Sequence, residues 1–214
     1  MHITDAVSKA TNRTPTEQSY GELSDAYKFF NAKLFDDGLP SCLITLHRHR
    51  SAYGYFSPKR FESADAAFTD EIALNPDHFK ARPDRASLST LVHEMVHLWQ
   101  QHFGKPSRNG YHNKEWAAKM DELGLTPSST GAEGGARTGQ KVSHFIVDGG
   151  PFDLACAELM KTGFTISWKS VPAPPKIKAG KRTKYKCPGC ETSVWGKDGL
   201  SITCEDCSET MEAN

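Results

Sequence analysis

Residues 93–97 read His-Glu-Met-Val-His within an apolar stretch. On a helix, positions four apart share a face, so His93 and His97 can address one metal ion. Glu94 stands beside the first of them, where a carboxylate can orient a water molecule and accept its proton. Two imidazoles and a base within one turn are the equipment of a zinc hydrolase. The competing reading is a solvated helix face that carries His and Glu by chance. The flanks argue against it. Leu88, Leu91, Val92, Met95, Val96 and Trp99 make the segment broadly apolar, and imidazoles buried there need partners.

A catalytic zinc takes three protein ligands and leaves a fourth position open. The extended pattern H-E-x-x-H-x-x-G-x-x-H is absent, because position 100 is Gln and position 103 is Phe. His102 lies five residues past His97, about 140° round a helix, so it points elsewhere. His112 is the better third ligand. It follows a Gly-containing loop and precedes a new helix, so the chain can turn back beneath the pentad. Glu115 and Glu122 are the fallback ligands.

A second metal signal closes the chain. Cys187-Pro188-Gly189-Cys190, thirteen residues, then Cys204-Glu205-Asp206-Cys207 pairs two C-x-x-C turns. Four thiolates make a closed tetrahedral site, so this zinc is expected to be structural. The predicted ribbon strands are Val194-Trp195 and residues 200–202, joined at Lys197-Asp198-Gly199. Cys42 and Cys156 stand alone and read as small buried hydrophobes.

The elements that must position these groups follow from periodicity. Tyr20, Leu23, Tyr27, Phe30 and Leu34 recur at helical steps from Glu17 until Gly38-Leu39-Pro40. Residues 42–49, 51–56 and 68–74 read as strands. The pentad helix begins near Asp84 or Ser87, either a fitting cap, and ends before Gly104-Lys105-Pro106. A shorter helix spans 113–123. Residues 126–140 read as an irregular connector, 141–147 as a strand, 152–161 as a short helix and 164–168 as a strand.

The chain resembles the SprT-like zinc metallopeptidase family, to which the DNA–protein crosslink protease Spartan is related. The residues that carry the likeness are Tyr27-x-x-Phe30-Asn31-x-x-Leu34-Phe35 with Leu39-Pro40, Gly54-Tyr55 and Glu71-Ile72-x-Leu74-Asn75. They continue through the pentad, Gly110-Tyr111-His112 with Trp116, and the cysteine module. Where the family often carries Phe after the third ligand, this chain carries Trp116. The resemblance implies an α+β zincin-like metallopeptidase domain, with a small sheet packed on the active-site helix, followed by a small four-cysteine zinc ribbon. It implies His93, His97 and His112 as ligands of a catalytic zinc and Glu94 as the base of a peptidase. The segment 68–74 is expected to hold an extended substrate, and Tyr53, Tyr55, Tyr111 or a backbone amide to stabilise an oxyanion.

Composition bounds what remains. Lys plus Arg and Asp plus Glu both number 26 in 214 residues, so net charge names no partner. The N-terminus lacks a basic and apolar leader, and no apolar run approaches the roughly 18–20 residues of a membrane span. A cytoplasmic monomer, free to associate with the nucleoid, is the simplest expectation. Residues 1–16 read as a flexible start, 17–168 as the peptidase domain, 169–186 as a basic linker and 187–214 as the ribbon. No Asp or Glu occurs between Leu159 and Cys190, whereas Lys169, Lys176, Lys178, Lys181, Arg182, Lys184 and Lys186 do. A solvated linker is one reading. The other is a phosphate-contacting segment, with Tyr185 and Trp195 stacking on bases, which makes DNA the expected partner beside the protein substrate. A non-catalytic, nucleic-acid-binding regulator built on the ribbon is the alternative function. The intact Glu94 speaks against it.

Overall fold

Thr14 sets the start of the first helix in the computed structural model of this chain, which describes residues 13–108, 110–171 and 182–214. The Thr14 side chain accepts from the Glu17 amide, and the Glu17 carboxylate accepts from the Thr14 amide. That reciprocal box satisfies two backbone donors, and Pro15 tolerates the first helical position. Helix α1 therefore spans Pro15–Leu34 and starts ahead of its apolar periodicity. It buries Leu23, Ala26, Tyr27 and Phe30. Asn31 donates to the Leu39 carbonyl and accepts from the Leu39 amide, which clamps the turn that follows.

Strands β1 (Leu43–Leu46), β2 (Gly54–Glu62) and β3 (Phe68–Leu74) form a sheet in the order β1-β3-β2. The β1–β3 pair is parallel and the β2–β3 pair antiparallel. The expectation that 68–74 holds a substrate strand is corrected here. β3 is the central strand, and its Glu71–Leu74 stretch is paired on both sides, while Phe68 and Thr69 pair with β2 alone. Among the described residues the edge strands are β1 and β2.

Helix α2 (Asp84–Phe103) packs on this sheet. Neither expected cap serves. Pro83 occupies the cap position without a side-chain bond. Asp84 instead accepts from the Ile166 amide and pairs with Lys169, while Ser87 is buried inside the helix. Leu88, Leu91, Val92, Met95, Val96 and Leu98 meet Ile72 and Leu74 in one apolar core. Helix α3 (Lys114–Glu122) follows, capped by Asn113, whose side chain accepts from the Trp116 amide. The predicted connector contains a strand, β4 (Leu125–Ser128), paired antiparallel with β5 (Ser143–Ile146). Helix α4 (Pro151–Lys161) packs against α1. Residues 164–168 form no strand. Carboxylates take their amides instead, with Asp84 accepting from Ile166 and Glu22 from Ser167.

The chain divides into two compact units, Met1–Pro172 and Ala173–Asn214. In the described part of the second, β6 (Thr183–Lys186) lies between β7 (Ser193–Gly196) and β10 (Glu212–Ala213). A two-stranded ribbon, β8 (Thr203–Cys204) with β9 (Glu209–Thr210), completes it. The expected pairing of 194–195 with 200–202 does not form, because β7 pairs with β6. Tyr185 explains the difference. Its hydroxyl donates to the Lys197 carbonyl and accepts from the Leu200 amide, which draws that turn across its buried ring. Among the described residues no helix is long and apolar enough to cross a membrane.

Candidate metal centre

Helix α2 presents His93 and His97 one turn apart, with ring centroids 5.2 Å from each other. His112 arrives from the loop before α3, because two sets of bonds turn that loop back. Gln100, one turn beyond His97 on α2, donates to the side chains of Asn113 and Glu115, and Asn113 donates to the Lys105 carbonyl. From the other side, His112 and Gly139 exchange both backbone hydrogen bonds, at 2.8 and 3.0 Å. The Gly139 carbonyl also accepts from the His112 ring at Nδ1, 3.0 Å away. That bond places the ring proton on Nδ1 and leaves the Nε2 lone pair free for a metal.

Donor atoms of His93, His97 and His112 all lie within 4.8 Å of one another. The two Nε2 atoms of His93 and His112 are 3.3 Å apart. Two nitrogens each about 2.0–2.1 Å from a tetrahedral zinc stand roughly 3.3–3.4 Å apart, so this separation fits zinc. Among the described residues the rings against this trio are Phe56, Trp116 and His144. Trp116 is wholly buried and touches all three histidines. Burial holds His93 well below the ordinary histidine value, lowers His97 to about 3 and lowers His112. All three rings are therefore neutral at neutral pH, the form that binds metal.

Glu94 is buried, and burial is the one influence that shifts its carboxyl. Burial pushes its carboxyl up to about 8. It lies close over Gly54 of β2, where a Cβ would stand 3.2 Å from its Oε1. A buried carboxylate is costly, and a nearby cation is what would favour this charged form. The donor set and this carboxyl together fit a zinc with an adjacent base.

The other candidates separate from this cluster. Glu115 accepts from Gln100 and the Lys105 amide, and Glu122 pairs with Lys119. His102 bonds to Asp70 at 2.6 Å, away from the pentad pair, as its angle round the helix predicts. Tyr53 stacks under Arg82 and against His78, Tyr55 meets His47 and His49, and Tyr111 lies under Arg108. Sequence reasoning missed Gly139, Gln100 and His144. Gly139 and His144 come from the 126–147 region, where no spacing tied them to the pentad.

In the second unit the sulfurs of Cys187, Cys190, Cys204 and Cys207 lie within 4.8 Å of one another. The Cys190–Cys204 separation is 3.6 Å, near the roughly 3.8 Å that two ligands of one tetrahedral zinc would show. Gly189 packs against Cys207, where a Cβ would come within 3.1 Å of its sulfur. Hydrogen bonding with Thr192 lowers the Cys190 thiol to about 6, while the Cys190 side chain raises Cys207, so without a metal the cluster favours a thiolate at Cys190 and a thiol at Cys207. This cluster is consistent with a zinc ribbon.

Of the basic candidates, Lys176, Lys178 and Lys181 lie outside the described residues. Arg182 is exposed, and Lys184 on β6 reaches over the exposed Trp195 ring, 5.9 Å from its centroid. Lys186 pairs with Glu191 at 2.8 Å. Tyr185 is 2% exposed, so it cannot stack on a base and serves the small core instead.

No solved structure matches this chain. An uncharacterized protein in the mucB 3′ region of Salmonella typhimurium is 54% identical over 59 residues, which span 27% of this chain and 80% of that protein. The model of the SprT-like family matches residues 23–134, from α1 through the three histidines to the loop after β4. That match takes in more than half of the sequence, and the chain belongs to the SprT-like family.

Proposed function

We propose that this protein is a zinc-dependent endopeptidase whose substrates are proteins associated with or crosslinked to DNA. The observation that carries the reading is the convergence of His93, His97 and His112 beside the buried Glu94, whose carboxyl burial raises to about 8. A zinc ion held by those histidines would act as a Lewis acid, polarising a carbonyl and acidifying a water. Glu94 holds the attacking water, takes its proton and delivers that proton to the leaving amine. Gly54 leaves room for the carboxylate, and the edge strand β2 offers backbone groups to an extended peptide. The cysteine cluster holds a second, structural zinc.

Recruitment to DNA rests on the second unit. Arg182 and Lys184 supply cations, and Trp195 supplies an exposed ring for stacking. Lys176, Lys178 and Lys181 extend the charge in sequence.

The test is cleavage of a DNA-crosslinked protein by wild type, Glu94→Gln and a chain ended before Lys176. Glu94→Gln is expected to lose activity by about 10²–10⁴-fold or more while still binding zinc. Near-normal cleavage by that variant sinks the mechanism. Equal wild-type activity with and without DNA removes recruitment and keeps the peptidase.

A further inference from the structure

His93 is held from behind by a chain of hydrogen bonds that reaches across the fold. Its Nδ1 lies 3.1 Å from Nδ1 of His144 on β5. Nε2 of His144 lies 2.9 Å from the Ser89 hydroxyl, one turn before His93 on α2. The Ser89 hydroxyl has its own acceptor, the Ala86 carbonyl at 3.0 Å. Two nitrogens facing each other at hydrogen-bond distance share one proton, so one ring donates and the other accepts.

We infer that the Ser89–His144–His93 chain fixes the tautomer of His93, with His144 as a positioning residue for the metal ligand. The Ser89 hydroxyl donates to Ala86 and accepts from His144 Nε2–H. His144 Nδ1 then carries only a lone pair and accepts from His93 Nδ1–H. The lone pair of His93 is left on Nε2, the atom that stands 3.3 Å from His112 Nε2. Read from the other end, a metal at that Nε2 requires the proton on Nδ1, and both ends give the same assignment. His112 reaches the same tautomer through the Gly139 carbonyl. The reverse polarity would put a proton on His93 Nε2 and close the site.

This inference rests on the metal reading of the three histidines. A ligand's hydrogen-bond partner, when removed, typically weakens metal binding by about tenfold to a hundredfold. His144→Asn keeps an acceptor where Nδ1 stands, whereas His144→Leu keeps only bulk.

The experiment uses the full zinc-loaded chain. Metal content is followed against a graded competing chelator, and His97→Ala identifies the metal that belongs to the histidine site. His144→Leu is expected to release that metal at about ten- to a hundredfold lower chelator. His144→Asn should recover most of the difference, and Ser89→Ala should fall between. Long-range proton–nitrogen NMR of wild type should show His93 protonated at Nδ1 and His144 at Nε2 only, a readout independent of folding in any variant. His144 protonated at Nδ1, or a folded His144→Leu that holds metal as wild type does, overturns the relay and leaves the metal reading standing. Equal metal content in wild type and His97→Ala overturns the metal reading and the relay with it.

Discussion

At the scale of single residues, burial decides which charges the site can carry. It pushes the Glu94 carboxyl up to about 8 and lowers His97 to about 3 and His144 to about 4. Without metal these groups are therefore mostly neutral around pH 7, and stability must depend on pH. Histidines with lowered values contribute stability that is present above their unfolded value of 6.5 and lost as pH falls through their folded values. Glu94, with a raised value, contributes stability that is present below 4.5 and lost as pH rises towards 8. In the first unit the lowered histidines outnumber the single raised carboxyl below pH 6.5, and the carboxyl outweighs them above it. Metal-free protein should therefore be most stable near pH 6.5. Between there and pH 8 it should lose on the order of 2 kcal/mol. Urea unfolding across that range checks this. Zinc-loaded protein should not show the decline, because a cation beside Glu94 restores its ordinary charge. Metal-free stability that kept rising to pH 8 would contradict the buried neutral carboxyl.

Between elements, the closest approach that matters is α2 on β2 at Gly54. A Cβ there would stand 2.9 Å from the Ala73 carbonyl, 3.0 Å from Thr90 Cγ2 and 3.2 Å from Glu94 Oε1. The backbone carbonyl belongs to the central strand, so the helix side must move. Gly54→Ala is expected to cost about 1–3 kcal/mol and to displace the carboxylate. Cleavage should fall while metal binding persists, since Gly54 packs on the base and its neighbours and not on the three ligands. Unchanged melting and unchanged cleavage would show that the interface has slack. This contact also marks what the sequence could tell. Helix α2 was legible because its apolar residues repeat at helical steps, and His112 because a loop had to bring a third imidazole back. The strap around them was not. Gly139 pins His112 through a two-residue bridge, and His144 reaches His93 from a strand fifty-one positions away. Pairings at that separation leave no periodic trace. β3 was legible as a strand but not as the central one, since edge and centre are decided by where β1 returns. The ribbon strands were misread for a related reason. The partner of β7 is set by Tyr185, whose burial and two hydroxyl bonds no local pattern announces.

Over the whole molecule, the two units have cores of very different kinds. The first is built on large apolar side chains, with Phe30, Ile72, Leu91, Met95, Trp116 and Phe152 fully enclosed. The second buries Tyr185, Cys187, Cys204 and Met211, with Val194, Ile202 and Cys207 packed against them. Three of those seven are proposed zinc ligands, so a metal bound there would take the place of a core. A module this small cannot offset its conformational entropy by apolar burial alone, and metal-binding energy becomes its folding energy. A strong chelator should therefore collapse the amide dispersion of residues 182–214. The first unit should stay folded, because its apolar core contains none of the three histidine ligands. Added zinc should restore both the ribbon signals and, if DNA recruitment lies there, the DNA dependence of cleavage. Cys204→Ser provides the version that leaves the histidine site intact. It should unfold the ribbon, keep the first unit's melting transition and retain cleavage of protein substrates without DNA. Dispersed ribbon resonances in metal-free protein would show that the four thiols are not what holds this unit together.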